Sequence, residues 1–179
     1  MLILAIALLS AEAPIATGTD RAYWLVGEWR CESYVGSQAK RTYARDSDGS
    51  INMTNNVLLP SRRYVIMRER YEYDSTTSNW TVDSPQNAVW GPMHASAGPW
   101  LDKQWVFLGI GALPGPRGHL TPDWPIRMIY TKLGDNAFRQ EHQIKVGQAW
   151  ETYSAGVCTR NSKPLPSVTT FVGIENYFG

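Results

Sequence analysis

The 179-residue chain is long enough for one domain with a substantial core. Its 17 Lys and Arg nearly balance 16 Asp and Glu, for a formal net charge of +1. The longest basic cluster, "SRRY" at 61–64, is too short to track a phosphate backbone, so no nucleic acid partner is expected.

The N-terminus reads "MLILAIALLSAEAPIATG". Residues 2–9 are an unbroken apolar run, and "AEA" at 11–13 fits a small-x-small cleavage pattern. Residues 1–17 are therefore expected to act as an export signal, placing the protein in a secreted or periplasmic compartment. Neither this run nor any later one is long enough for a transmembrane helix. A short helical turn is expected over 18–26, with Thr19 or Asp20 as its cap and Gly27 as its end.

Beyond Gly27 the dominant period is two. In "RRYVIMRERYEYD" (62–74), Val65, Met67, Glu69, Tyr71 and Tyr73 share one face, while Tyr64, Ile66, Arg68, Arg70 and Glu72 share the other. A turn at "DSTTS" feeds a short strand at 80–84. Residues 87–96 form a strand interrupted by Gly91 and Pro92, which suggests an edge or a bulge. Residues 102–113 are apolar on both faces, as in a central strand or one covered on both sides. Residues 114–125 look like a long Pro- and Gly-rich loop carrying His119, Asp123 and Trp124. Three more strands follow at 126–133, 137–146 and 149–160, joined by tight turns. The tail, 162–179, holds one further short apolar segment near 168–174. About eight to ten short strands without a long helix indicate an all-β sandwich or a closed antiparallel barrel over 18–161.

The two cysteines, Cys31 and Cys158, stand near the two ends of this region. An even count in an exported chain permits one disulfide, which would join the first and last strands. "GEW" at 27–29 begins the first strand after the helical turn. It resembles the Gly-x-Trp signature of the lipocalins and the wider calycin group. The stretches "LVGEWRC" and "WETYSAGVCTR" look like those of small secreted bacterial lipocalin-like domains. The resemblance implies a single up-and-down barrel whose end is closed by Trp29, entered through Gly27, with Arg160 laid over the indole. Cys31 lies two residues from Trp29 and Cys158 two from Arg160, so the same strand phase serves both contacts. The family's middle Thr-Asp-Tyr motif has no clean counterpart; "TPDW" at 121–124 is the nearest.

Alternation in "AFRQEHQIK" puts Phe138, Gln140, His142 and Ile144 on the face opposite a charged row. An inward His142 could orient a ligand, act as acid or base, or ligate a haem iron; a satisfied core histidine is the plainer alternative. Glu69 shares an aromatic face and, if that face is interior, needs a partner. Tyr71, Tyr73, Trp105, Phe107, Tyr130 and Trp150 are candidate wall residues, with Gly109 leaving room beside Trp105 and Phe107. His94, His119 and His142 lack metal-ligand spacing, so no metal is expected, and no cofactor beyond the haem alternative. No nucleophile elbow or phosphate loop is present in the sequence. The expected function is binding of an apolar or aromatic small molecule inside the barrel. The alternatives are a lyase- or isomerase-type enzyme using His142 and Glu69 as acid–base groups, and a structural or interaction domain with a filled core.

Overall fold

The computed structural model describes residues 22–58, 62, 64–85, 92–100, 102–114 and 120–160. The export-like segment, His119 and the apolar segment of the tail lie outside them. A 3-10 turn, Tyr23–Leu25, leads into ten strands: β1 (Gly27–Ser33), β2 (Gln38–Arg45), β3 (Ile51–Leu58), β4 (Tyr64–Asp74), β5 (Asn79–Ser84), β6 (Met93–Ala97), β7 (Gln104–Pro114), β8 (Leu120–Gly134), β9 (Ala137–Val146) and β10 (Ala149–Thr159). Each strand pairs antiparallel with its neighbours in sequence, and β1 pairs with β10. The result is a closed up-and-down barrel, in which every strand edge finds a partner.

Strand alternation fixes which side chains face in. In β3, Ile51, Met53, Asn55 and Val57 are buried, while the residues between them are more exposed. Across the ladder Ile51 faces Tyr71, Met53 faces Glu69 and Asn55 faces Met67, so the Glu69 face of β4 is interior. The turn after β4 is built by Asp74, whose carboxylate accepts bonds from the Thr76 amide and the Thr77 hydroxyl, both at 2.8 Å.

The seam is short. Only Arg30–Ser33 of β1 and Gly156–Thr159 of β10 face one another, and Cys31 stands directly opposite Cys158. The two sulfurs are bonded, linking positions 127 residues apart. Below the seam Trp29 is buried, and its indole N–H donates to the Leu25 carbonyl at 2.7 Å. The Arg160 guanidinium lies 4.4 Å from the Trp29 ring centroid. Gly27 holds φ at 128°, which L side chains rarely adopt, and a Cβ there would come within 3.4 Å of Arg160. Trp24 and Phe138 pack against Trp29, and Trp100, set against Trp24 and stacked on Trp105, extends the aromatic cluster that closes this end.

The N-cap position of the 3-10 turn is Ala22, with no side-chain bond, and the expected caps Thr19 and Asp20 lie outside the described residues. Other expectations are corrected. Much of the expected 114–125 loop is strand, because β8 starts at Leu120: Pro125 stands in register opposite Ile110, and Pro122 falls at the ladder irregularity facing Gly111–Leu113. β6 is no edge, since it pairs with both β5 and β7. β7 is flanked on both sides, as a central strand is, but its outer face is not covered by any described residue: Val106, Leu108 and Ile110 are exposed. Gly109 also serves a different purpose from the one expected. A Cβ there would lie 2.0 Å from the His94 carbonyl oxygen, so the space goes to the backbone of β6 rather than to a ligand.

Candidate functional site

Above the aromatic plug the barrel interior is polar. β2 contributes Arg41 and Tyr43, β3 Asn55, β4 Glu69 and Tyr71, β8 Tyr130, and β9 Gln140 and His142. Arg41, Asn55, Glu69 and Gln140 are buried, as are all three tyrosines. A core this small is ordinarily filled with apolar side chains, and a buried charge is tolerated only with partners.

Most of these groups form one hydrogen-bonded chain. Tyr71 donates its hydroxyl to the Glu69 carboxylate. The hydroxyls of Tyr71 and Tyr130 are 2.5 Å apart. The Gln140 amide nitrogen donates to Tyr130 at 2.8 Å and lies 3.0 Å from Nε2 of His142. The Gln140 carbonyl accepts from Arg41, which also reaches the Tyr43 hydroxyl at 3.3 Å. His142 packs its ring against Tyr153, with centroids 5.8 Å apart, and is half-buried.

The electrostatics follow from burial. Burial disfavours the charge on Arg41, but Tyr43, Tyr130 and Glu69 more than offset it, and the guanidinium stays ionised. Burial pushes the Glu69 carboxyl up, against the opposing pull of Arg41 and the Tyr71 bond. Burial also raises Tyr43, Tyr71 and Tyr130, so all three remain neutral phenols. His142 is pushed down to about 3 by burial and then by Arg41, leaving a neutral imidazole at physiological pH.

The structure thus gathers Glu69, Tyr71, Tyr130 and His142 into one cluster. Glu69 and His142 are not in direct contact there; Tyr71, Tyr130 and Gln140 stand between them. Tyr73 and Trp105 sit among the packed aromatics instead. Tyr73 lies 5.4 Å from the Trp80 ring, and Trp105 stacks on Trp100 and donates to the Gly98 carbonyl at 2.9 Å. Phe107 is buried between Tyr71 and Trp105. Trp150 departs from the expectation that it lines the interior. It stands opposite the outward Lys145, and Arg127 covers its ring at 4.8 Å on the outside of the barrel. His94 is an exposed partner of Asp83, 2.7 Å away.

Sequence reasoning missed Arg41, Tyr43, Asn55 and Gln140 as site residues. Gln140 was placed on the correct face but carried no obvious chemistry. The available signal for β2 was Ala39 and Tyr43 alternating with Lys40 and Thr42. An inward arginine at position 41 disguises that period.

No protein-family model matches the chain, and no curated protein matches it in sequence. The closed ten-stranded antiparallel barrel is consistent with the calycin fold. The disulfide fits an oxidising compartment. No helix among the described residues is long and apolar enough to cross a membrane.

Proposed function

We infer that this protein is an exported, lipocalin-like carrier that binds a small apolar or aromatic molecule within its barrel. The observation that carries the reading is the polar cluster around Arg41, Glu69, Gln140 and His142, set in a barrel interior that packing alone would fill with apolar side chains. Met53, Met67, Phe107 and Met128 line the same interior and offer apolar contact to the body of a ligand. Tyr71, Tyr130 and His142 would orient its polar end. Burial of apolar surface drives binding at about 25 cal/mol per Å², and a few placed polar groups set orientation.

Binding is favoured over acid–base catalysis by the state of His142. An imidazole held near 3 is a weak base, far from the value that serves proton transfer at neutral pH. The test is titration with the neutral fluorophore N-phenyl-1-naphthylamine. A saturable one-to-one rise in its emission is expected with the folded protein. Absence of saturable binding, with the barrel shown to be folded by circular dichroism, would remove the carrier reading in favour of a filled structural core.

A further inference from the structure

β10 keeps one alternation up to Ser154 and the opposite one beyond it. Cys158 stands opposite Cys31 at the seam, and Ser154 stands opposite the inward His142. Nearer the β9–β10 turn, Thr152 stands opposite Gln143 and accepts a bond from its side-chain nitrogen at 3.1 Å on the outer face, while Glu151 stands opposite the inward Ile144. The frame changes because Tyr153 is an extra residue that the ladder with β9 skips. A bulge of this kind re-aims a side chain. Strict alternation from Ser154 would turn Tyr153 outward. Instead its ring lies against His142, with centroids 5.8 Å apart and planes tilted by 36°.

Tyr153 sits between the barrel mouth and the polar cluster. One inward pair, Ile144 and Glu151, separates it from the Val146–Ala149 pair that ends the β9–β10 ladder. On its other side is His142, the end of the chain that runs through Gln140, Tyr130 and Tyr71 to Glu69. Tyr153 is half-buried, and its hydroxyl is pushed up first by burial and then by the Glu69 charge. Glu69 belongs to β4, four strands from β10 in the barrel order through β1, β2 and β3. The side chain therefore extends into the lumen rather than along its own wall. We propose that Tyr153 is the gate of the barrel, and that a ligand enters and leaves when its ring turns away from His142. The inference rests on the carrier reading above. Two side-chain torsions move a large rigid ring, so a single rotamer change opens or closes the passage. An open state populated at about 10% or less slows passage by about 10-fold or more. The ring closes over an empty or an occupied interior alike, so entry and exit slow together and affinity changes little.

The experiment follows N-phenyl-1-naphthylamine emission by stopped flow over a range of protein concentrations, which gives association and dissociation rate constants separately. Tyr153→Ala is expected to raise both by about 10-fold or more, with their ratio nearly unchanged. Tyr153→Phe keeps the ring and should retain the wild-type rates. Tyr153→Leu fills the bulge without a ring. It should be as fast as the alanine variant, and it decides the question if that variant does not fold. Wild-type rates in the alanine or leucine variant would overturn the gate and leave the carrier reading standing. Faster dissociation alone, with affinity falling in proportion, would make Tyr153 a wall contact of the bound ligand and overturn the gate as well. Tyr153→Phe as fast as Tyr153→Ala would place closure in the hydroxyl and overturn the role given to the ring. Absence of saturable binding by the wild-type protein would remove the carrier reading, and the gate with it.

Discussion

Replacing Cys31 and Cys158 together by alanine is expected to destabilise the barrel severely. The bond closes a loop between positions 127 residues apart. Restricting the unfolded chain over such a loop removes about 16 cal/mol/K of entropy in the chain-entropy model, or about 5 kcal/mol at 25 °C. The native side sharpens the effect. The β1–β10 seam has four facing positions, Arg30 to Ser33, whereas the β2–β3 ladder has eight, Gln38 to Arg45. Without the covalent link a ladder of only four facing positions must offset the entropy of closing the loop. Urea denaturation of the oxidised protein and the double alanine variant, followed by tryptophan emission, should show a loss of about 3–5 kcal/mol. With a slope near 2 kcal/mol per molar urea, the midpoint would fall by about 2 M. A loss below about 1 kcal/mol, with both transitions two-state, would refute the idea that closure depends on this bond.

Arg160→Met should lower stability by about 0.5–2 kcal/mol in the same assay, since it removes the cation from the Trp29 face. Trp29→Ala, which empties the plug and frees the Leu25 carbonyl, should lose about 3–5 kcal/mol. His142 titrates near 3 when folded and near 6.5 when unfolded, so between those values the unfolded chain binds more protons. Stability then falls as pH drops through that window, by up to about 1.4 kcal/mol per pH unit, and His142→Phe should remove this dependence. Glu69 acts with the opposite sign. Its folded value is raised, so the native state binds the extra proton above the ordinary glutamate range and stability falls as pH rises there. Glu69→Gln should flatten that arm; an unchanged pH profile of unfolding in either variant would contradict the burial assigned to its residue.

The parts of the fold legible in the sequence were those where alternation is clean. β9 sets an apolar row against a charged one, so the inward direction of Gln140 and His142 followed from period. In β4 the period separated the two faces, and only the register with β3 shows the Glu69 and Tyr71 face to be interior. The seam was legible from the cysteine pair and, for Gly27, Trp29 and Arg160, through the resemblance to the Gly-x-Trp signature. The candidate site was less legible because its strongest group lies on the least apolar strands. β2 and β3 carry Arg41 and Asn55 inward, which breaks the hydrophobic pattern that would have marked them as strands. Trp150 misled for the opposite reason. A tryptophan suggests an interior, but here its face is taken by Arg127 on the outer surface. The prolines in "TPDWP" suggested a loop, yet the ladder takes up Pro122 at an irregularity and keeps Pro125 in register with Ile110.

The most direct test of the account is a crystal structure of the protein grown with N-phenyl-1-naphthylamine. The account predicts the fluorophore inside the barrel beside Met53, Met67 and Met128, within reach of Tyr71, Tyr130 and His142. An interior occupied by side chains alone, or the fluorophore held only on the outer surface, would contradict it.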